Sequence, residues 1–361
     1  MRALLISFFI LTVFGSALPA QTPAQAHEAI DIPEVQELIM VLFALAEPEG
    51  SPSGLIDHGT AYYREVMTAF APYKGMKVVR RVRQKMKKRS YHLRMDACNY
   101  TFDDRHRLVR NPQYDHFSWG KKDVLRPLRP ALEDWAKQTG FRRFYQEHRT
   151  YYDSLKALME RQSPIAPQRD WLNGHFPLSY RDIRVFFSPL SYSRHSTNSF
   201  FAQRYQKVLV FVSGPFEAGD ERYGEAVKEG LISRMVFTEI DHNYVNPLSD
   251  QFLPDIQKAF QRRAFWAVPG RADHYSSAYD VFNEYMTWGA FLLYAKSRFS
   301  EDVYAQINRS VVSQMEQYRG FIRFGDFSRQ LFAVYEWHPQ METIYPLMLR
   351  WASVQQNAVA E

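Results

Sequence analysis

A chain of 361 residues, 46% hydrophobic and 16% aromatic, can bury a large core, which excludes a disordered chain or a small disulfide-stapled domain. Its single cysteine, Cys98, forbids an internal disulfide and reads as an inert buried thiol. The net charge of +6 comes with no Gly-rich phosphate loop, zinc-finger spacing or RNP-type motif, so nucleic acid is not an expected partner.

Met1-Arg2, the apolar run Ala3 to Phe14 and the small residues ending in Ala24-Gln25-Ala26 predict a signal peptide over 1–26. That run is shorter than the roughly 20 residues a membrane helix needs, and no second stretch of that length follows. Export to the periplasm or medium, without a stable membrane span, is therefore expected. The remainder divides into an N-terminal lobe, 27–248, with a small sheet and a motif helix, and a helical C-terminal lobe, 249–361.

Helical periodicity predicts helices over 32–46 and 61–71, the first stopped by Glu47-Pro48-Glu49-Gly50. The basic run Lys77 to Arg89 carries its valines and Met86 on one side, as a solvated helix or strand edge packed on a body does. Residues 91–129 show no clear period and read as irregular structure with a short hairpin. Helices follow over 132–138 and 141–161, and Ser163-Pro164-Ile165-Ala166-Pro167 reads as a break. The β-branched and aromatic segments Ile183–Phe187 and Lys207–Val212 are the strand candidates. Beyond them the pattern is helical: 224–246, 254–266, 275–298, 300–319, 326–335 and 341–352. The fold class is α+β and predominantly helical.

On a helix advancing about 100° per residue, Thr238, Glu239, His242 and Asn246 share one face, while Val236, Phe237, Ile240 and Tyr244 face the core. Pro247 is expected to end that helix. Glu-x-x-His is a weak pattern alone, as suited to a water-facing helix end as to chemistry. The helix around Glu284 is apolar nearly all round, so Glu284 should be buried and needs a cation. That cation is either a metal or an arginine such as Arg234, Arg262 or Arg263. The serines at 188–196 form no G-x-S-x-G elbow, which argues against a serine hydrolase. His175 and His195 lie in loops flanking the first strand and read as exposed or as hydrogen-bonding core residues.

The stretch Thr238-Glu239-Ile240-Asp241-His242-Asn243-Tyr244-Val245-Asn246-Pro247 resembles a bacterial family of exported proteins of unknown function, similar to gluzincin-type zinc metallopeptidases with a His-Glu-x-x-His helix followed by Val-Asn-Pro. Ile32–Leu38, Tyr62–Met67, Phe187–Leu190, Tyr318–Phe321 and Tyr345-Pro346 extend the likeness. The resemblance implies a zincin-like fold with a sheet edge along a cleft, near Lys207–Val212, the motif helix below it and a helical second lobe. It implies zinc as cofactor, Glu239 as general base, His242 and Glu284 as metal ligands, and a peptide or protein as substrate. The departure is Thr238, where the first motif histidine belongs; a neutral hydroxyl is a poor zinc ligand. Asp241, His274 or Glu239 itself are the possible replacements, the last giving metal binding without hydrolysis. Tyr244, Tyr275 and Tyr279 are candidate oxyanion donors. An inactive peptidase fold that binds peptide or a cell-envelope partner is the alternative function.

Overall fold

The computed structural model describes residues 27–48, 54–111, 122–202, 205–215 and 223–358. The expected signal peptide, 1–26, lies outside these residues. Among the described residues no helix is long and apolar enough to cross a membrane.

Strand β1 (His27–Asp31) leads into α1 (Glu34–Ala46), whose residues from Val35 to Ala46 are all buried, as its nearly uninterrupted apolar sequence requires. Helix α2 (Ala61–Phe70) is capped by the Thr60 hydroxyl, which accepts from the Tyr63 amide. The basic run forms α3 (Lys77–Ala97), which buries Val78, Val79, Val82 and Met86 against α1 and bends at Arg89. Part of its charge is spent on backbone: Arg83 donates to the Ala46 carbonyl at the end of α1 and Arg81 to the Pro127 carbonyl. Because α3 runs to Ala97, the segment read as irregular from residue 91 begins instead as helix. The expected hairpin follows as β2 (Tyr100–Phe102) and β3 (Leu108–Arg110). Cys98 is buried, and burial pushes its thiol pKa far up, which leaves it unreactive.

Helices α4 (Arg129–Thr139), α5 (Phe141–Glu147), α6 (Arg149–Gln162) and α7 (Ile165–His175) cover the next stretch. The single helix expected over 141–161 is two, divided at His148. The expected break at 163–167 is narrower than its prolines suggest: Pro164 caps α7 and Pro167 sits in its first turn, where a missing N–H costs nothing.

Strands β4 (Asp182–Phe186), β5 (Ser196–Ala202) and β6 (Tyr205–Phe211) join β1 in a sheet of order β1-β4-β6-β5, parallel except for β5. The segment expected beside the sheet edge, Lys207–Val212, lies mostly in β6, and β6 is interior, paired on both sides. The edge strands are β1 and β5, and the one beside β6 is β5, whose Ser-Thr-Asn-Ser start carries little strand signal.

Helix α8 (Glu225–Gln251) packs on β5 and β6 and against α6 and α11 (Ala278–Arg298). It continues through Pro247 instead of ending there. Proline at 247 leaves the carbonyl of Asn243 without its intrahelical donor, and the Tyr180 hydroxyl takes that place at 2.9 Å. The lobe boundary expected at 248/249 thus falls inside a helix. Short helices α9 (Leu253–Ala259) and α10 (Arg263–Trp266) replace the one expected over 254–266. Helix α11 starts with a reciprocal capping box between Ser277 and Asp280. Helix α12 (Glu301–Ser313) passes into a π-helical segment, Gln314–Arg319, closed by Gly320 at φ +83°. Helices α13 (Phe324–Tyr335) and α14 (Met341–Ala358) complete the fold; Gly289 lets α13 approach α11, since a Cβ there would stand 2.6 Å from Leu331. The architecture is α+β, mostly helical around a small mixed sheet.

Candidate functional site

Three elements bring the expected residues together. Glu239 and His242 lie on the half-buried stripe of α8, and Glu284 projects from the buried α11 facing it. His242 Nε2 is 3.7 Å from Glu284 Oε1. The other Glu284 oxygen, Oε2, accepts from Arg319 at 2.5 Å and from the Trp288 indole at 3.2 Å. Arg319 also donates to the Tyr275 hydroxyl. The cation expected beside Glu284 is therefore an arginine, but not Arg234, Arg262 or Arg263. The π-helical turn and the left-handed Gly320 carry the later chain back so that Arg319 reaches α11.

Around this pair stands a cluster of aromatic rings and guanidinium groups. Arg234, two turns before His242 on α8, and Arg319 each lie 4.7 Å from the Trp288 ring centroid. Arg94, on α3 beyond its bend, donates to the Ser196 hydroxyl at 2.8 Å at the start of β5. His195, one residue earlier, bonds the Ser213 hydroxyl at 2.9 Å. Burial, and then the charges of Arg94, Arg234 and Arg319, push the His195 pKa down to about 3, which keeps that imidazole neutral. Burial lowers Arg94 and Arg234 to about 10, still protonated at neutral pH.

The Glu239 carboxyl makes no hydrogen bond or ion pair among the described residues, while its backbone carbonyl accepts from Asn243 at 3.2 Å. Burial raises its pKa to about 7; Glu284 adds to that rise, while His242, Arg94 and Arg319 oppose it. A carboxyl of that kind exchanges protons near neutral pH, as a general acid or base does. Thr238 stands apart from this chemistry. Its hydroxyl is buried and donates to the Met235 carbonyl of its own helix at 3.4 Å. Asp241 is fully buried with neither oxygen hydrogen-bonded, and burial holds it neutral. His274 is exposed. Of the three candidate tyrosines only Tyr275 reaches the cluster. Tyr244 is buried on Asn173, and Tyr279 bonds the Asn246 carbonyl and Asp250. His175 is structural, stacked on Trp171 and bonded to the Tyr335 hydroxyl at 2.6 Å.

The edge strand is fixed to the motif helix. The Asn243 side-chain amide donates to the Thr197 hydroxyl at 2.8 Å and to the Ile240 carbonyl at 3.0 Å. Arg94 and His195 thus stand at one end of β5, the strand on which the helix carrying Glu239 and His242 packs.

The donor set bears on zinc directly. Two ligands of one tetrahedral zinc stand about 3.4 Å apart, given metal–ligand bonds of about 2 Å. The spacing of His242 and Glu284 is close to that. A third donor is what the site lacks: among the described residues no group of three or more His, Cys, Asp or Glu side chains is disposed to hold a metal ion. Arg94, His195, Trp288 and Arg319 were not singled out as site residues from sequence; only Arg319 lay within a stretch that carried the resemblance. No family model, curated protein or solved structure matches this chain.

Proposed function

We propose that this is an exported protein of peptidase-like fold that binds a peptide or a cell-envelope partner beside β5 and α8, with no requirement for hydrolysis. One observation carries this reading: Arg319 already supplies Glu284 with its cation at 2.5 Å, in the place a metal would otherwise serve. The sheet order supports it, since β5 is an antiparallel edge strand lying against the helix that bears Glu239 and His242. An edge strand offers unpaired backbone groups to an extended chain.

A second reading, a zinc-dependent hydrolase, draws support from the His242–Glu284 spacing and from the Glu239 carboxyl, held at about 7. In that reading His242 and Glu284 would hold the metal, which would supply Lewis-acid chemistry. Glu239 would serve as general base and the Tyr275 hydroxyl as an oxyanion donor.

Metal analysis of the purified protein, with peptidase assays on Glu239→Gln and His242→Ala, separates the two. The binding reading expects substoichiometric zinc and no turnover in the wild type. Stoichiometric zinc that His242→Ala removes, with turnover that Glu239→Gln abolishes, overturns it. Thr238→His tests the scaffold: gained zinc affinity requires α8 and α11 to keep zincin geometry.

A further inference from the structure

Strand β1 is the opposite edge of the sheet, and the protein itself answers only part of its open side. The Asp31 carbonyl accepts from the Phe187 amide at 3.2 Å, so Ala29 and Asp31 turn their backbone groups toward β4 while Ile30 and Ile32 turn theirs away. At Ile32 the outward carbonyl is taken by the Tyr145 hydroxyl at 2.6 Å. At Ile30 the outward N–H and C=O have no partner among the described residues. A cavity of about 460 Å³ lies there, lined on the sheet side by Ala29 and Ile30 alone among the described residues. Facing them are Asp153, Ala157 and Glu160, one stripe of α6, and the apolar start of α7. The charge of this groove is one-sided. Lys156 is shared between Asp153 at 2.8 Å and Asp31 at 3.7 Å, while Glu160 has no ion-pair partner among the described residues. Three carboxylates thus stand around one ammonium.

We propose that the β1 edge is an interaction surface for an extended peptide segment bearing lysine or arginine, which adds to the sheet beside Ile30. This surface is separate from the β5 side of the sheet and stands without the reading given to that side. Backbone pairing supplies the attachment, because an edge strand with unanswered groups is a template for another chain. The neighbouring side chains select the partner. A basic side chain of the added strand meets Glu160 and Asp153, and its apolar neighbours meet Ala157 and the start of α7. A second copy of this chain is disfavoured at the same edge, since pairing β1 with β1 sets the Asp31, Asp153 and Glu160 groups of two copies against one another.

The test is calorimetric titration of the intact protein with the capped pentapeptide Ala-Lys-Val-Lys-Ala, with its glutamate counterpart Ala-Glu-Val-Glu-Ala, and with the lysine peptide N-methylated at valine. The lysine peptide should bind at least about tenfold tighter than the glutamate peptide, and N-methylation should cost at least about fivefold by removing a backbone donor. Glu160→Lys, on the exposed stripe of α6, should reverse the charge preference without disturbing the fold. Ile30→Pro removes the outward N–H at a place where an edge strand tolerates proline, and should abolish binding of the lysine peptide. No saturable binding of the lysine peptide up to about 5 mM overturns the proposal, as does equal affinity for the two charge types or for the N-methylated form. A dimer of the wild type in sedimentation that Ile30→Pro dissociates assigns the edge to a second copy and overturns it too. The peptide comparisons need only the wild type, and Glu160→Lys places the site even where Ile30→Pro fails to fold.

Discussion

Two buried acids sit on core helices of this molecule, and their neighbours differ in kind. Glu37, on α1, is fully buried and accepts from the Tyr62 hydroxyl at 2.9 Å; Tyr62 in turn meets the Tyr152 hydroxyl at 2.6 Å. Burial raises its pKa to about 7, opposed by hydrogen bonds from Ser188 and Tyr62 and by the charge of His148. Glu284, on α11, meets a guanidinium, an indole N–H and, at longer range, an imidazole. The first holds its acid among hydroxyls, with one carboxyl oxygen buried and without a partner. The second gives its acid charged partners beside the half-buried stripe of α8 that carries Glu239 and His242, where perturbed groups cluster as they do at functional sites.

Isosteric substitutions at the two acids should diverge. Glu284→Gln strands the Arg319 charge in a site where its side chain is 28% exposed, and should cost about 3–4 kcal/mol by urea unfolding at pH 7.5. A loss below about 1 kcal/mol would mean that this ion pair resembles a surface one. Glu37→Gln should instead change the pH dependence. Glu37 titrates near 4.5 unfolded and about 7 folded, so the folded state binds the extra proton between these values. Stability from Glu37 is therefore complete below pH 4.5 and falls, by roughly 2–3 kcal/mol, as pH rises to 7. Glutamine cannot titrate, so the variant's stability curve should lose that much of its decline; an unchanged slope would refute the neutral-acid picture. Tyr62→Phe should cost about 1–2 kcal/mol by removing the donor to Glu37. Thr238→Val, inside the motif, should cost less than about 0.5 kcal/mol, because its one hydrogen bond is a long one within its own helix.

Legibility in the sequence followed locality. Helix α1, the strands β4 and β6 and the burial of Glu284 were readable because apolar periodicity reports the core directly. Strand β5 was missed because its first residues are polar and its place in the sheet comes from pairing with β6. Helix α7 was hidden by prolines that fall where a helix tolerates them. The shared face of Glu239 and His242 followed from helix periodicity, whereas the approach of Glu284 to His242 is a tertiary contact between two helices. Arg319 instead of Arg234 beside Glu284 depends on a π-helical turn and on Gly320, and no local pattern encodes that return. Arg94 belongs to the same class: it lies beyond the basic run and past the bend at Arg89, so the pattern of the run does not report its burial.

The substitution of a phenol for a backbone donor at Asn243 makes α8 mechanically two rods on one axis. Unwinding that begins at Gln251 must break the bonds from residues 248–251, finds none from residue 247, and there meets a carbonyl already anchored from Tyr180. Amide exchange should therefore rise steeply beyond Pro247 and stay slow from Val236 to Tyr244. The stripe carrying Glu239 and His242 is insulated from fraying of its own helix, and it keeps its aim while the adjoining turns breathe.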